Sequence, residues 1–162
     1  MQGSPKVLQQ LNALLTGELT AADQYFVHSR MYEDWGYHRL YDRIEHEREE
    51  ELEHAARLIH RILFLGGTPD VASRNALKIG ATVPDMLKND LDYELSTVAN
   101  LKKAIALCEG EQDFESRRIL TELLQNTEED HTYWLETQLR LVGQVGIQNY
   151  LQSAAGEVAE EK

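Results

Sequence analysis

The chain has 162 residues, of which 42% are hydrophobic and 27% charged, and its formal net charge at pH 7 is −12. This size and composition fit one globular domain over residues 1–162, and the acidic balance argues against a nucleic-acid partner, which needs a basic surface. No stretch of about 18 apolar residues occurs, so we expect no membrane span. An N-terminus without a basic segment followed by an apolar one indicates no signal peptide, and the single cysteine, Cys108, excludes an intrachain disulfide. These features favour a cytoplasmic protein.

Four long helices are predicted, because apolar residues recur three or four positions apart along most of the chain. Their expected bounds are about 5–34, 38–65, 84–109 and 114–142. A short fifth helix is expected over 147–152, and the acidic tail 153–162 is expected to be flexible. The link between the second and third helices is long for two adjacent antiparallel helices. The sequence therefore predicts an all-α four-helix bundle with one long crossover connection and a short C-terminal fifth helix.

Particular residues mark the expected helix ends. Ser4 is expected to cap the first helix with its hydroxyl, and Pro5 to take the first helical position. Asp113 is the expected N-cap of the fourth helix. Gly66 and Gly143 are expected to end the second and fourth helices, because glycine readily adopts the conformation that follows a helix.

Carboxylates and imidazoles interrupt the apolar stripes of all four long helices. The pattern Glu-x-x-His occurs once in the second helix and once in the fourth, and residues three apart share one face of an α-helix. A lone glutamate stands in the apolar stripe 33 residues before the first copy and 34 before the second. The six residues are Glu18, Glu51, His54, Glu94, Glu128 and His131.

Glutamate followed by Glu-x-x-His, occurring twice, is the ligand set with which a four-helix bundle holds two iron or manganese ions. A carboxylate on a buried stripe is costly unless it is paired or binds a metal. Carboxylate and imidazole ligands suit iron or manganese, and no thiolate is present to favour structural zinc. Four carboxylates balance two divalent ions, with two glutamates free to bridge them. We therefore predict a dinuclear centre with room for oxygen or peroxide between the metals.

Other polar residues near this set receive weaker assignments. Tyr25 lies two turns beyond Glu18 on the same face and is expected to donate a hydrogen bond beside the metals or to pack in the core. His46, Glu47 and Glu50 precede the motif on the second helix. Their position fits an accessory cation site or a face that contacts solvent or another subunit, and both interpretations stay open.

Six stretches carry a resemblance to a known family. They are 15–19 (LTGEL), 23–26 (DQYF), 28–31 (HSRM), 61–65 (RILFL), 130–136 (DHTYWLE) and 148–152 (QNYLQ). Through them the chain resembles bacterioferritin over nearly its whole length. The resemblance implies a ferritin-like bundle, assembled as a hollow cage of 24 subunits. It also implies that the six ligands form a ferroxidase centre, where O₂ or H₂O₂ oxidises Fe(II) before a ferric mineral is stored inside.

The resemblance carries further expectations and one departure. In that family, His46 and an acid at position 50 bind iron on the cavity face, and Glu50 stands here where aspartate is usual. A ferredoxin-type reductant is implied for iron release. The family's haem-ligating methionine falls at position 52, where this chain has Leu52, which cannot ligate iron. This chain therefore resembles the subunit type that lacks the haem ligand and works beside a second, methionine-bearing subunit in some bacteria.

Other classes of protein fit the sequence less well. A rubrerythrin-like peroxidase usually carries a Cys-x-x-Cys module, and one cysteine argues against it. Starvation-protection cages place their ligands across a subunit interface, whereas both motifs here belong to one chain. A purely structural subunit or a metal-free helical adaptor would gain stability from replacing buried acids by aliphatic residues.

Overall fold

The computed structural model describes residues 1–156, which are helical apart from short turns and one long connection. The helices are α1 (Pro5–Asp34), α2 (His38–Phe64), α3 (Val83–Gly110), α4 (Phe114–Asn126), α5 (Tyr133–Val145) and α6 (Ile147–Ala154), with a π-helical turn (Thr127–Thr132) joining α4 to α5. Helix α1 packs on α2, α3 packs on α4 and α5, and contacts between α1 and α3 join the two pairs. The predicted all-α bundle with one crossover, residues 65–82, and a short terminal helix is confirmed. No helix within residues 1–156 has both the length and the apolarity needed to cross a membrane.

The helix ends confirm some of the predicted signals and correct others. Asp113 caps α4 by accepting a hydrogen bond from the Ser116 amide at 2.9 Å. Ser4 precedes α1, but the prediction of a hydroxyl cap was wrong, because this hydroxyl donates to Glu111 at 2.7 Å instead. Helix α5 continues past Gly143 and ends before Gly146, whose φ of 80° makes the turn into α6.

The C-terminal prediction also changes. Helix α6 reaches Ala154, two residues beyond the expected end, so the first residues of the predicted flexible tail are helical. The rest of that tail, from residue 157, lies outside the described residues.

The predicted fourth helix is not α-helical throughout, because its central turn is a π-helix. In the continuous helical segment formed by α4, the π-helical turn and α5, the buried residues Leu123, Thr127, His131 and Leu135 are each four positions apart. Repeated steps of four exceed the 3.6 residues of an α-helical turn, so an α-helix would carry these side chains steadily off the core. The wider π turn, with hydrogen bonds between residues five apart, keeps them facing inward.

The buried side chains form two apolar clusters, one toward each end of the bundle. The first contains Val7, Leu11, Leu14, Leu15, Ala55, Leu58, Ile62, Leu65, Leu101, Ala104, Cys108, Leu120 and Leu123. The second contains Ala21, Tyr25, Tyr32, Leu40, Ile44, Val83, Met86, Leu87, Leu91, Leu135, Tyr150 and Ala154. Helices α1, α2 and α3 contribute to both clusters, whereas α4 contributes to the first and α5 to the second. Helices α1, α2 and α3 and the π-helical turn each place a carboxylate or imidazole between the two clusters. The bundle therefore has a polar layer within its core.

Polar side chains of α1 anchor the crossover along the bundle. Thr20 accepts a hydrogen bond from the Asn75 amide at 2.9 Å, and Gln24 accepts one from the Lys78 amide at 3.1 Å. His28 accepts one from the Gly80 amide at 3.3 Å. Because these three acceptors stand four residues apart, they form a ladder along one face of α1. The crossover therefore runs alongside α1 over the stretch from Thr20 to His28.

Asp90 of α3 joins this ladder from inside the core. Its Oδ1 accepts a hydrogen bond from Gln24 Nε2 at 2.7 Å and lies 2.9 Å from His28 Nδ1. All three side chains are buried. Gln24 therefore links the crossover to α3 through the oxygen and the nitrogen of its side-chain amide.

Replacing Gln24 by alanine is expected to lower the free energy of unfolding by about 2 kcal/mol, because Asp90 and the Lys78 amide both lose a buried partner. Hydrogen exchange at the Lys78 amide should accelerate at the same time. Gln9→Ala, at an exposed position of the same helix, is the control. Denaturant unfolding checks the energy, and equal stability of the two variants would contradict the anchoring role of Gln24.

Candidate metal centre

Five of the six predicted ligands meet in the polar layer between the two apolar clusters. None of the five is more than 6% exposed. They are Glu18 from α1, Glu51 and His54 from α2, Glu94 from α3 and His131 from the π-helical turn. Each lies on the core-facing stripe of its helix, so packing the stripes together brings the five side chains to one place.

Glu51 occupies the middle of this group. Its Oε1 lies 2.9 Å from His131 Nδ1, and its Oε2 lies 3.3 Å from His54 Nδ1. The two imidazole rings are nearly parallel, at an interplanar angle of 19°, with centroids 5.9 Å apart. One carboxylate thus faces two histidines, which is the arrangement expected of a ligand that bridges two metals.

The remaining carboxylates divide the site into two halves. Glu18 Oε2 lies 3.7 Å from His54 Nδ1, and Glu94 Oε1 lies 3.5 Å from His131 Nδ1. Within each half, the ligand atoms, including one from Glu51, lie within 4.8 Å of one another. The structure therefore contains two adjacent metal-sized groups that share Glu51.

Glu128 is the predicted ligand that the structure does not bring to this place. Its side chain is 42% exposed, and its Oε1 lies 2.6 Å from Lys102 Nζ. The prediction assumed that Glu128 and His131 share a face, as residues three apart do in an α-helix. In the π-helical turn each turn holds more residues, so the two side chains diverge. As the chain is folded here, Glu128 forms a surface ion pair rather than a ligand.

Burial and crowding perturb the carboxylates and imidazoles of the first half. Burial, with a smaller effect of the Glu51 charge, raises the pKa of Glu18 to about 8. Burial acts to lower the pKa of His54, but contacts with Glu18 and Glu51 raise that pKa to about 10. Protons therefore compensate the negative charge of these buried acids when no metal does so.

The second half has the same electrostatic character. Burial acts to lower the pKa of His131, but contacts with four carboxylates raise it well above its usual range. Burial and the charge of Glu94 act to raise the pKa of Glu51, whereas its hydrogen bonds to Glu18 and the two histidines give a net lowering. These shifts mark a strongly coupled cluster of the kind that functional sites contain.

Tyr25 donates a hydrogen bond from its hydroxyl to Glu94, as predicted for a residue beside the ligands. Burial, followed by the charge of Glu94, raises the pKa of Tyr25 well above its usual range, so the phenol keeps its proton. This hydrogen bond orients the Glu94 carboxylate toward the other ligands of the centre.

One buried ligand atom, Glu18 Oε1, has no hydrogen-bond partner among the described residues. Leaving such an atom unpaired in a protein interior is costly, and a metal ion would satisfy it. The donor set of oxygen and imidazole nitrogen suits iron or manganese. The residues present therefore fit a metal centre.

Of the remaining predicted residues, Glu47 is buried, Glu50 is partly buried, and His46 and Leu52 are exposed. His46 is exposed, and its Nε2 lies 3.4 Å from Glu50 Oε1. Glu50 also accepts a contact at 2.8 Å from His131 Nε2, and this hydrogen bond is the main cause that lowers the pKa of Glu50 to about 2. Leu52 is exposed on α2 and points away from the buried ligands beside it. The exposed His46 is thus connected to the buried centre through Glu50.

Sequence reasoning missed two sets of residues that the structure brings together. Asp90, with Gln24 and His28, forms the buried network described above, and its position one turn before Glu94 was a usable signal. Arg43 and Asp130 meet beside His131, at 2.6 Å between Nη2 and Oδ1. They are 87 residues apart, and no local spacing reports that contact.

A buried layer of carboxylates and imidazoles inside a four-helix bundle defines a helical protein with a candidate dinuclear metal centre. Comparison with known proteins agrees with this class. Residues 8–145 match the Ferritin family, described as a ferritin-like domain. The chain therefore belongs to the ferritin-like family.

Its relatives share most of their length with it. A bacterial ferritin of Synechocystis sp. is 58% identical over 153 residues, which cover 94% of this chain and 98% of the relative. A bacterial ferritin of Paramagnetospirillum magnetotacticum is 57% identical over 161 residues, covering 99% and 98%. A bacterioferritin of Mycobacterium leprae is 41% identical over 150 residues, covering 93% and 94%.

Proposed function

We propose that this protein stores iron and acts as a ferroxidase of the bacterioferritin type, oxidising Fe(II) to Fe(III) at a dinuclear centre within one chain. Membership of the ferritin-like family supports iron storage. The observation that carries the ferroxidase proposal is Glu51, whose two oxygens face His54 and His131. A purely structural bundle would gain stability by replacing such buried acids with aliphatic residues.

In the proposed reaction two Fe(II) ions are substrates, one in each half of the site. Glu18 and His54 would bind one, Glu94 and His131 the other, and Glu51 both. Each iron loses one electron, so two Fe(II), two protons and O₂ give two Fe(III) and H₂O₂. With H₂O₂ as oxidant, two Fe(II) and two protons give two Fe(III) and two waters. The chain's own contribution is to hold both irons next to one oxidant molecule and to balance their positive charge with its carboxylates.

A polar cleft gives a small oxidant a route to this centre. It has a volume of about 220 Å³, lies between α1, α3 and the crossover, and includes Glu18 in its lining. Neutral groups such as Asn75, Tyr93 and Asn100 form much of its wall. Such a wall suits O₂ or H₂O₂ better than a hydrated cation.

We include Glu128 in the proposed ligand set, moving inward when iron binds. Three buried carboxylates do not balance two divalent ions, and a fourth completes the charge. Glu128→Ala is then expected to slow iron oxidation by roughly tenfold, whereas Lys102→Ala, which only frees Glu128 from its surface partner, should not slow it. Stopped-flow oxidation rates check this, with exposed Glu129→Ala as control. A normal rate in Glu128→Ala would remove Glu128 from the set.

Assembly and accessory sites complete the proposal. We propose a cage of 24 subunits, with His46 and Glu50 binding iron at its inner surface and a ferredoxin-type reductant serving iron release. Leu52 leaves this chain without an axial haem ligand, so haem in a mixed cage would depend on a methionine-bearing subunit. A cytoplasmic location stays a prediction.

The test of the proposed function is Fe(II) addition to metal-free protein, first under nitrogen and then in air. Binding of two Fe(II) per chain, rapid oxidation of that amount and slower retention of much more iron is the expected result. Ferric absorbance and iron retained after gel filtration are the measurements. Oxidation no faster than in buffer would leave the chain a structural subunit.

A further inference from the structure

Gly17 lies in the middle of helix α1, where neither packing nor backbone conformation requires a glycine. It belongs to the regular helix Pro5–Asp34, and its φ is not positive. A Cβ added to it would have only the Tyr93 hydroxyl within 4 Å, at 3.9 Å, which is an ordinary contact distance. Glycine in a helix interior lowers stability relative to alanine, because it loses more conformational freedom on folding. The missing side chain at position 17 therefore has a reason other than folding.

The polar cleft of about 220 Å³ between α1, α3 and the crossover supplies that reason. Gly17 and Ala13, one helical turn apart, form part of its α1 wall. Because a Cβ at position 17 would face open space apart from Tyr93, a larger side chain there would extend into the cleft. The two small residues therefore keep the cleft open along α1.

The cleft leads to a ligand of the candidate metal centre. Glu18 follows Gly17 directly and is part of the cleft lining, although its side chain is only 2% exposed. Its Oε1 has no hydrogen-bond partner among the described residues. An unpaired carboxylate oxygen in a protein interior is costly unless it meets a ligand. This observation does not depend on the small residues, and it indicates that the cleft opens onto the place where one metal of the proposed centre would bind.

Tyr93 determines the width of the cleft beside Gly17. Its hydroxyl donates a hydrogen bond to the Gly17 carbonyl oxygen at 2.8 Å and accepts one from Asn75 Nδ2 at 3.3 Å. The Asn75 amide in turn donates to Thr20 Oγ1 at 2.9 Å. These bonds tie α1, α3 and the crossover together next to Glu18. Because the frame of the cleft is held by hydrogen bonds, the side chain at position 17 decides how much of the opening stays free.

We propose that Gly17, together with Ala13, is the determinant of oxidant access: its missing side chain leaves a passage through which O₂ or H₂O₂, rather than Fe(II), reaches the centre. The proposal rests on the proposed function, since the oxidant is the second substrate of that reaction. Apart from Glu18, every residue that lines the cleft is uncharged, which favours a neutral molecule over a cation. Either oxidant takes two electrons from two Fe(II) together with two protons, giving H₂O₂ from O₂ or two waters from H₂O₂. Gly17 therefore acts on access and leaves this chemistry unchanged.

The test is a graded series at position 17 in the full-length protein, Gly17→Ala and Gly17→Leu. Gly17→Ala should raise Tm by about 2–4 °C, because alanine favours the helix and its Cβ meets no clash. Stopped-flow oxidation of Fe(II) by O₂ and by H₂O₂ should nevertheless slow, by roughly threefold in Gly17→Ala and by more than about tenfold in Gly17→Leu. A variant that is more stable and yet slower shows that the loss does not come from damage to the fold.

Anaerobic stopped-flow binding of Co(II) separates access of the oxidant from access of the metal. Co(II) should bind to Gly17→Ala and Gly17→Leu at the wild-type rate and stoichiometry. Ala13→Leu narrows the same wall one turn away from Gly17, without adjoining a ligand in sequence, and should also slow oxidation by about tenfold.

Gly143→Ala is the matched control. Gly143 is an exposed glycine within α5, and nothing lies within 4 Å of a Cβ added to it. This change should raise Tm by a similar amount, because it makes the same replacement inside a helix. It should leave the oxidation rate at the wild-type value, because Gly143 is not part of the cleft.

Four results would overturn the inference. Oxidation at the wild-type rate in Gly17→Leu or in Ala13→Leu would show that the cleft does not carry the oxidant. Slower or weaker Co(II) binding in Gly17→Leu would show that the cleft carries the metal or that position 17 acts on Glu18 itself. A lower Tm in Gly17→Ala would reveal a packing role for the glycine, and slower oxidation in Gly143→Ala would reveal a general effect of the replacement. All four leave the ferroxidase proposal intact, whereas wild-type protein without rapid oxidation would defeat that proposal and this inference together.

Discussion

Replacing Glu51 by glutamine is expected to slow the rapid oxidation of Fe(II) by on the order of 100-fold, the largest effect among the ligand substitutions. The reason is its position, with one oxygen 2.9 Å from His131 Nδ1 and the other 3.3 Å from His54 Nδ1. Glutamine keeps the shape of the side chain but loses the charge and one acceptor oxygen. Both halves of the centre would therefore lose a ligand through a single change.

Stopped-flow oxidation and Co(II) stoichiometry together check this result. Glu53→Gln is the matched control, because it makes the same chemical change at an exposed position of the same helix. We expect Glu53→Gln to oxidise iron at the wild-type rate. Glu51→Gln protein that still binds two Co(II) tightly and oxidises iron normally would show that the two halves do not share this carboxylate.

The metal-free protein is expected to lose stability as pH rises from about 5 to 9. Glu18 has its pKa raised from 4.5 to about 8, so the folded state binds this proton more tightly than the unfolded state. The stability from that proton is fully present below 4.5 and is lost as pH rises through about 8. His54 acts in the same direction, because its pKa rises from 6.5 to about 10. Both contributions therefore disappear over the alkaline side of neutrality.

At acidic pH, the stability of the metal-free protein changes with pH in the opposite direction. Glu50 has its pKa lowered from 4.5 to about 2, so its contribution is present above 4.5 and is lost as pH falls toward 2. The metal-free protein should therefore be most stable at weakly acidic pH. A loss of about 2 kcal/mol on the alkaline side would lower Tm by roughly 4–8 °C for a chain of this size.

Metal binding should remove the loss of stability at alkaline pH, because bound ions replace the protons on Glu18 and His54. Loading at neutral pH should also release protons, which titrations in buffers of different ionisation enthalpy measure. Glu18→Gln is the informative variant, since glutamine mimics the protonated acid. Thermal unfolding of its metal-free form should vary less between pH 5 and 8 than that of the wild type. Identical pH profiles would contradict the assigned role of the Glu18 proton.

The sequence predicted those parts of the candidate centre that depend only on the spacing of residues within a regular α-helix. Glu18, Glu51, His54 and Glu94 stand on apolar stripes of regular α-helices, and all four reach the buried layer. Glu128 did not follow, because the rule that residues three apart share a face holds for an α-helix and fails in the π-helical turn. The steps of four at Leu123, Thr127, His131 and Leu135 are visible only from burial in the structure, because the polar Thr127 does not mark a core stripe in the sequence.

The sequence alone determined the helices, the crossover and the placing of acids and histidines within apolar stripes, because each depends on periodicities a few residues long. Tertiary structure decided which groups meet across helices. Arg43 reaches Asp130, and Asp90 reaches Gln24 and His28, over separations that no local period reports. Packing also decided that Glu51, rather than another carboxylate, lies between both imidazoles. The physical reason is that a helix specifies which face a side chain occupies, while the opposing side chain depends on how the helices pack.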